Sequence, residues 1–357
     1  MARVVVGMSG GVDSAVAAFL LKAAGFDVIG VTLRTWPAGE ENRCCEIDDA
    51  RRVAAKLKIP FYPLNCVADF QKNVTEPFAE AYIRGVTPIP CIDCNRFVKW
   101  ARLLYTARLL RAEHIATGHY AGIVQLDNGR YAVRVAADTK KDQSYMLYKL
   151  TQEQLRYTLL PLGELTKKEV RVIAEREGLP VAQKRDSQEL CFAAAGDHAD
   201  YIERHCRESL PEKGNFVDES GRVLGVHKGI YRYTVGQRRG LGLTLGHPAY
   251  VKRICAESRE IVIGDEHSLY SGGVVCIDVI FMSMPEPEPG TLLRCMVKIR
   301  YSHAPQAAVL EMTADGAARI TFDSPVRAAA PGQAAVFYDG AGCVIGGGVI
   351  LESFARP

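Results

Sequence analysis

Residues 3–65 alternate short β-branched runs with amphipathic helical stretches: a strand over 3–7, a helix over 12–24, and a strand over 27–33, followed by a helix over 48–58 and a strand over 61–65. A βαβαβ rhythm of this kind is compatible with a parallel sheet joined by right-handed crossovers and with little else. In such open sheets ligands bind outside the carboxyl ends of the strands. The pattern continues with a helix over 95–112, a buried strand over 114–117 and the loop Gly118-His119-Tyr120. A hairpin turn at Asp127-Asn128-Gly129 follows, and then a helix over 166–177 that stops at Gly178 with Pro180 beyond. From Gly214 onward the texture changes to short strands parted by turns, with no long helical period. Met284-Pro-Glu-Pro-Glu-Pro-Gly290 reads as a stiff connector, and strands over 292–299, 307–312, 317–322 and 336–338 read as a small barrel or sandwich. The expectation is an α/β chain in three units: a nucleotide-binding domain over 1–200, a small β-rich domain over 201–272 and a C-terminal β-barrel over 273–357.

Composition matters mainly for what it excludes. At 357 residues with 48% hydrophobic and 24% charged side chains, the chain builds real cores and is neither a disulfide-stapled miniprotein nor a disordered one. A net charge of +3 does not hold a protein on nucleic acid by bulk attraction, so any RNA contact must be local. The start runs straight into a strand without an apolar export segment, and no window offers about 18 uninterrupted apolar residues for a membrane helix, so a cytoplasmic protein without a membrane partner is expected. Eleven cysteines in a reducing compartment point to chemistry or metal rather than to persistent disulfides.

The sharpest local signal is Gly7-Met8-Ser9-Gly10-Gly11-Val12-Asp13-Ser14, which leaves the first strand and opens the first helix. Glycines let backbone N–H groups approach an anion, Ser9 and Ser14 add hydroxyls, and the helix start supplies positive potential, which together make a phosphate cradle. It lacks the Gly-Lys-Ser/Thr of a Walker A loop and the glycine spacing of a dinucleotide fingerprint. The second signal is thiol chemistry: Cys91-Ile-Asp-Cys94 at a helix start, and Cys191 in the polar stretch Asp186-Ser-Gln-Glu-Leu-Cys191-Phe192. A helix N-terminus stabilises thiolate, a position expected for Cys94. Cys255, Cys276, Cys295 and Cys343 sit in apolar strands and read as buried small hydrophobes.

The string Ser9-Gly-Gly-Val-Asp-Ser14 resembles the pyrophosphate loop of ATP pyrophosphatases. With Thr87-Pro-Ile-Pro-Cys-Ile-Asp-Cys-Asn-Arg96, Ala116-Thr-Gly-His-Tyr120, Lys141-Asp-Gln-Ser-Tyr145, the Asp186–Phe192 stretch, Tyr233-Thr-Val-Gly-Gln-Arg-Arg-Gly-Leu-Gly242 and Arg300-Tyr301-Ser302 in one order, the chain looks like the bacterial tRNA-specific 2-thiouridylases. That resemblance implies a sulfurtransferase that uses ATP and Mg2+ to adenylylate C2–O of the wobble uridine and replaces AMP with persulfide-derived sulfur. It implies Cys94 as nucleophile and Cys191 as persulfide carrier, passing through a disulfide. Gly7, Met8, Ser9, Gly10, Gly11, Val12, Asp13, Ser14, Leu33 and Gly118 then lie around ATP. His119, Lys141, Asp142, Gln143, Arg300, Tyr301 and Gln333 contact the tRNA anticodon arm, and a persulfide donor or relay protein supplies sulfur. Asp13 is expected near the magnesium and the reacting phosphates.

Three features fall outside that scheme. Where many relatives carry Asp three residues before the nucleophilic cysteine, this chain has Cys91, with its acid at Asp93. Cys91, Cys94 and Cys191 thus offer an alternative as ligands of a [4Fe–4S] cluster, and Cys44-Cys45 is a further pair; a zinc knuckle lacks its second close Cys/His pair, so no other metal ligand is assigned. Arg238-Arg239 between glycines, and Arg96, Lys99, Arg102, Arg108 and Arg111 on the helix after Cys94, are candidate phosphate contacts or simply solvated cations. The rival readings are another ATP pyrophosphatase-type synthetase, an iron–sulfur-dependent RNA sulfurtransferase, and an RNA-binding barrel protein with an idle nucleotide fold.

Overall fold

The computed structural model describes residues 1–36, 47–185, 190–192 and 198–355; Cys44-Cys45 and Asp186–Glu189 lie outside them. Strands β1 (Arg3–Gly7), β2 (Asp27–Arg34), β3 (Phe61–Asn65), β4 (His114–Ala116) and β7 (Thr158–Leu159) form a parallel sheet in the order β3-β2-β1-β4-β7, with the hairpin β5 (Gly122–Gln125) and β6 (Tyr131–Arg134) beside it. Val4, Val5 and Val6 are fully buried, Val4 and Val6 in the cluster beneath α1 (Val12–Ala23) and α2 (Ile47–Leu57), Val5 in the cluster under the helices of the other face. Burial on both faces is why β1 reads as an unbroken valine run rather than an alternation. Pro63, which cannot complete a ladder, is accommodated because β3 is an edge strand.

The chain leaves β1 toward β2 and β3 on one side and returns through β4 and β7 on the other. The sheet order therefore reverses between β1 and β4, which puts the crevice expected for a ligand outside Gly7 and Ala116.

The middle unit is a four-stranded sheet, β10 (Tyr250–Cys255), β11 (Glu260–Gly264), β8 (Gly214–Val217) and β9 (Val223–His227) in that order. A closed six-stranded antiparallel barrel follows: β12 (Tyr270–Phe281), β15 (Ala318–Arg327), β14 (Gln306–Met312), β13 (Leu292–Lys298), β16 (Ala334–Tyr338) and β17 (Val344–Phe354). Closure removes exposed strand edges. Among the described residues no α-helix follows His205, as the texture of the sequence implied, and no helix is long and apolar enough to cross a membrane. Barrel residues Ala334, Val336, Tyr338 and Val344 belong to the same core cluster as Val5 and Trp100, so the barrel wall is packed against the nucleotide domain.

Two elements depart from the sequence expectation. A helical stretch over 67–83, with a π-turn at Gln71–Thr75, fills a region given no element. The cysteine helix starts at Pro90, not Asn95, and runs to Leu109 through a π-turn at Cys94–Trp100. Pro90 sets the start because its fixed φ suits the first helical position. Val98, Trp100, Leu103 and Leu104 are buried, whereas Phe97 and Leu109 are exposed.

Candidate functional site

At the nucleotide end, the Met8 N–H donates to Val31 O at 2.7 Å and Thr32 Oγ1 donates to Met8 O at 2.6 Å, pinning the exit of β1 to its neighbour. Gly10 turns the chain at φ +77°, and Gly11 caps α1 without a side-chain hydrogen bond, leaving the first helical N–H groups to face the crevice. Ser14, expected to offer its hydroxyl outward, is buried and staples the loop: its Oγ accepts from Ser9 N at 3.1 Å and donates to Gly11 O at 3.1 Å. Gly118 closes against this turn so tightly that a Cβ there would lie 2.6 Å from Ser14 N. Met8 and Val12 are buried in the cluster beneath α1 and shape the loop from below, whereas Leu33 is buried in the cluster on the other face of the sheet.

Asp13 is held by groups remote in sequence. Tyr120 Oη donates to its Oδ1 at 2.7 Å, and Lys167 Nζ reaches both oxygens at 2.7 and 2.8 Å. Lys184 Nζ donates to Gly10 O at 3.2 Å and pairs with Asp49 at 2.7 Å. These two lysines and Tyr120 escaped the sequence reading because only the β4 and β7 crossovers bring them to the loop. Their one local sign is the Thr166/Glu169 capping box, which fixes where the helix carrying Lys167 begins.

At the thiol end, Cys91 occupies the first helical turn and is exposed, while Cys94 lies one turn in and is buried. Placing Cys94 at the helix terminus is thus corrected: the unsatisfied N–H groups belong to the turn of Cys91. Asp93 pairs with Lys149 at 3.0 Å, and Asn95 Nδ2 donates to Met146 O at 3.0 Å. Cys191 is half-buried and packs against the core cluster that contains Cys94, next to Phe192, whose ring stands 4.7 Å from Phe78 and 5.0 Å from Tyr201. No group of three Cys, His, Asp or Glu side chains among the described residues is gathered as a metal site. Cys276, Cys295 and Cys343 behave as small hydrophobes, burial pushing Cys295 up to about 12 and the other two above the ordinary thiol range.

At the expected RNA end, several residues serve internal joints. Asp142 is buried, its carboxylate accepting from Ala136 N, Ser144 N and Ser144 Oγ, which holds the turn bearing Lys141. Gln143 and Tyr120 exchange main-chain and side-chain bonds at 2.8 and 2.9 Å. Gln333 Nε2 donates to Thr87 O at 2.9 Å, and Gly332, at φ +87°, approaches Thr87 so closely that a Cβ would meet its carbonyl at 2.9 Å. Arg300 Nη2 donates to Val235 O at 3.0 Å and Ala328 O at 2.5 Å, tying the middle unit to the barrel. His119 bonds Thr117 Oγ1 and packs on Trp100; burial, with Lys99 adding repulsion, drops it to about 3, so its ring is neutral. Tyr301, Arg238 and Arg239 are exposed. On the cysteine helix, Arg102 pairs with Asp69 and Arg108 with Glu153, which shortens the basic ridge.

Comparison with known proteins completes the picture. The tRNA methyl transferase HUP domain model matches residues 2–195, the tRNA methyl transferase PRC-barrel domain model 199–265 and the aminomethyltransferase beta-barrel domain model 274–350. The chain is 48% identical to the tRNA-specific 2-thiouridylase MnmA of Lachnoclostridium phytofermentans, covering 99% of this chain and all of that one. It is 47% identical to that of Acetivibrio thermocellus and 46% to that of Clostridium perfringens, each over 98% of this chain and 98–99% of the relative. The U34-tRNA thiolase NcsA from Methanococcus maripaludis with its [4Fe–4S] cluster overlays with a TM-score of 0.37 at 19% identity over 58% of this chain and 67% of that one, too distant to bear on the thiols. With an ATP pyrophosphatase-type sheet, a middle sheet and a closed barrel matched along its whole length, this chain belongs to the tRNA-specific 2-thiouridylase family.

Proposed function

We propose that this chain is an ATP-dependent tRNA-uridine 2-sulfurtransferase that converts the wobble uridine to 2-thiouridine. The observation that carries the reading is the arrangement at the switch point: an anion-ready helix start flanked by Lys167 and Lys184, in a domain whose core also seats Cys94 and supports Cys191.

Uracil C2–O is a poor leaving group. Attack of that oxygen on the α-phosphate of ATP expels pyrophosphate and turns it into AMP, a good one. The N–H groups of Gly10, Gly11 and the first turn of α1, with the two lysines beside them, hold the departing charge. Mg2+ bound with the nucleotide would neutralise part of it. In this chain Asp13 already holds Lys167 and no set of three ligands is preassembled among the described residues, so no step is assigned to Asp13 through the metal.

Sulfur arrives from a persulfide donor as Cys191–S–SH. Either its outer sulfur attacks C2, AMP leaves and Cys94 thiolate cleaves the S–S bond, or Cys94 first attacks Cys191 Sγ and frees sulfide for C2. Both routes place sulfur on C2 and leave a Cys94–Cys191 disulfide, which an external thiol reductant resets with two electrons. The barrel, 273–357, and the Arg238-Arg239 loop grip the anticodon arm, and the wobble base turns outward at little cost because its loop is single-stranded.

The test is mass spectrometry of nucleosides from tRNA incubated with the protein, ATP, Mg2+ and a persulfide donor. The expected result is 2-thiouridine with wild type, none with Cys191→Ser, and sulfur loaded on Cys191 without turnover in Cys94→Ser. Absence of 2-thiouridine with a loaded wild-type protein overturns the reading.

A further inference from the structure

Lys298 closes β13 where the barrel meets the turn Ser144–Leu147, and it is only 9% exposed. Its ammonium stands 5.8 Å from the ring centre of Tyr145 and 5.4 Å from that of Tyr301, with the two rings 6.4 Å apart. Among the described residues it has no hydrogen bond and no ion pair. The neighbouring acid, Asp142, is fully engaged by Ala136 and Ser144. A cation between two aromatic faces gains from their quadrupoles, yet its three N–H donors call for an acceptor.

The two rings are held differently. Tyr145 is fully buried and its Oη donates to Ala334 O at 2.9 Å, so it is a fixed back wall. Tyr301 is 39% exposed and forms the open wall. The Pro90–Asp93 turn that carries the exposed Cys91 packs against the Ser144–Leu147 turn that bears Tyr145. The back wall of the pair is thus tied to the turn that leads to Cys94. Burial also lowers Lys298 below its ordinary value, Asp142 opposing the shift.

Building on the tRNA-thiolation reading, we propose that Lys298 is a positioning residue that fixes the Tyr301 ring as a stacking surface for the extruded nucleotide and gives its ammonium to an acceptor oxygen of that nucleotide, on the phosphate or the pyrimidine. A base stacks on an aromatic face whatever its sequence, which suits a ring that receives one turned-out nucleotide.

The experiment measures binding of an anticodon stem-loop RNA by fluorescence anisotropy beside steady-state thiolation, for Lys298→Met, Lys298→Arg, Tyr301→Leu and the Lys298→Met/Tyr301→Leu double variant. Lys298→Met is expected to weaken RNA binding and raise KM for tRNA about tenfold, with kcat within about twofold. Lys298→Arg should recover most of the loss, and the double variant should bind about as Tyr301→Leu does, because the two residues act as one unit. A phosphate partner appears as a salt slope reduced by about one in Lys298→Met; a pyrimidine partner appears as an unchanged slope with weaker preference for uridine over cytidine. Unchanged affinity and KM in Lys298→Met, or losses that add in the double variant, overturn the proposal. If Lys298→Met does not fold, Lys298→Arg and the exposed Tyr301→Leu still decide it: affinity lost in neither removes the platform. Because anisotropy needs no sulfur transfer, it is read independently of whether the wild type makes 2-thiouridine.

Discussion

The two ends of this site are built by opposite means. At the nucleotide end the turn itself is main chain and local, eight residues stapled by Ser14, with Gly118, Lys167 and Lys184 brought to it inside one domain by the sheet. At the proposed RNA end the contacts are side chains reaching between units: Arg300 to Val235, Gln333 to Thr87, Lys298 between Tyr145 and Tyr301. A close-packed backbone turn tolerates little change, whereas a joint between units can be loosened by degrees.

The largest separation of the two ends comes from Gly118→Ala. Its Cβ would meet Ser14 N and Cα and the Asp13 carbonyl carbon within 3 Å, all main chain that cannot swing aside. ATP affinity should fall by at least about 100-fold while stem-loop RNA binding stays near wild type, the misplacement of a phosphate site being costly even for small shifts. Equal loss of both would show that the ends are not separate devices.

Gly332→Ala acts on the other side. A side chain at φ +87° is strained by about 1–3 kcal/mol, and its Cβ would also press on Val86 and Thr87 just before the cysteine helix. A rise of about tenfold in KM for tRNA with KM for ATP unchanged is expected; an ATP defect of similar size would mean that the strap over 85–89 also supports the nucleotide loop.

The smallest effects distinguish a joint from a true phosphate contact. Arg300→Met should lower the melting temperature by about 2–4 °C and leave the salt slope of tRNA binding in place, because its guanidinium is engaged by Val235 O and Ala328 O. Arg238→Gln, on an exposed loop, should do the reverse, flattening the slope by about one without moving the melting temperature. The reverse assignment would return Arg300 to the RNA surface.

The same contrast explains what was legible in the sequence. The βαβ rhythm, the strand-to-helix turn at Gly7–Ser14 and the helix from Thr166 are encoded within a few residues, and the structure follows them closely. Lys167 and Lys184 were not legible, since their meeting with Asp13 and Gly10 depends on the path of the whole sheet. The inward roles of Asp142 and Arg300 were hidden for the same reason: a charge in a loop looks alike whether solvent or a backbone N–H or carbonyl answers it. The cysteine helix begins at Pro90 rather than Asn95, a proline being well suited to the first turn of a helix.

The π-turn at Cys94–Trp100 sets the bearing of the Cys94 thiol. A π-turn holds one residue more than an α-turn, and each residue of an α-helix advances the side-chain direction by about 100°. The helix is in effect clocked: its Pro90–Asp93 end is rotated against its Ala101–Leu109 end by a single surplus residue, while Trp100, buried and bonded to Thr158 at 2.8 Å, keeps the lower half from turning. The direction in which Cys94 points is therefore stored in the count of residues between two fixed anchors, a quantity that exchange of one side chain for another leaves untouched and that only a change in chain length can reset.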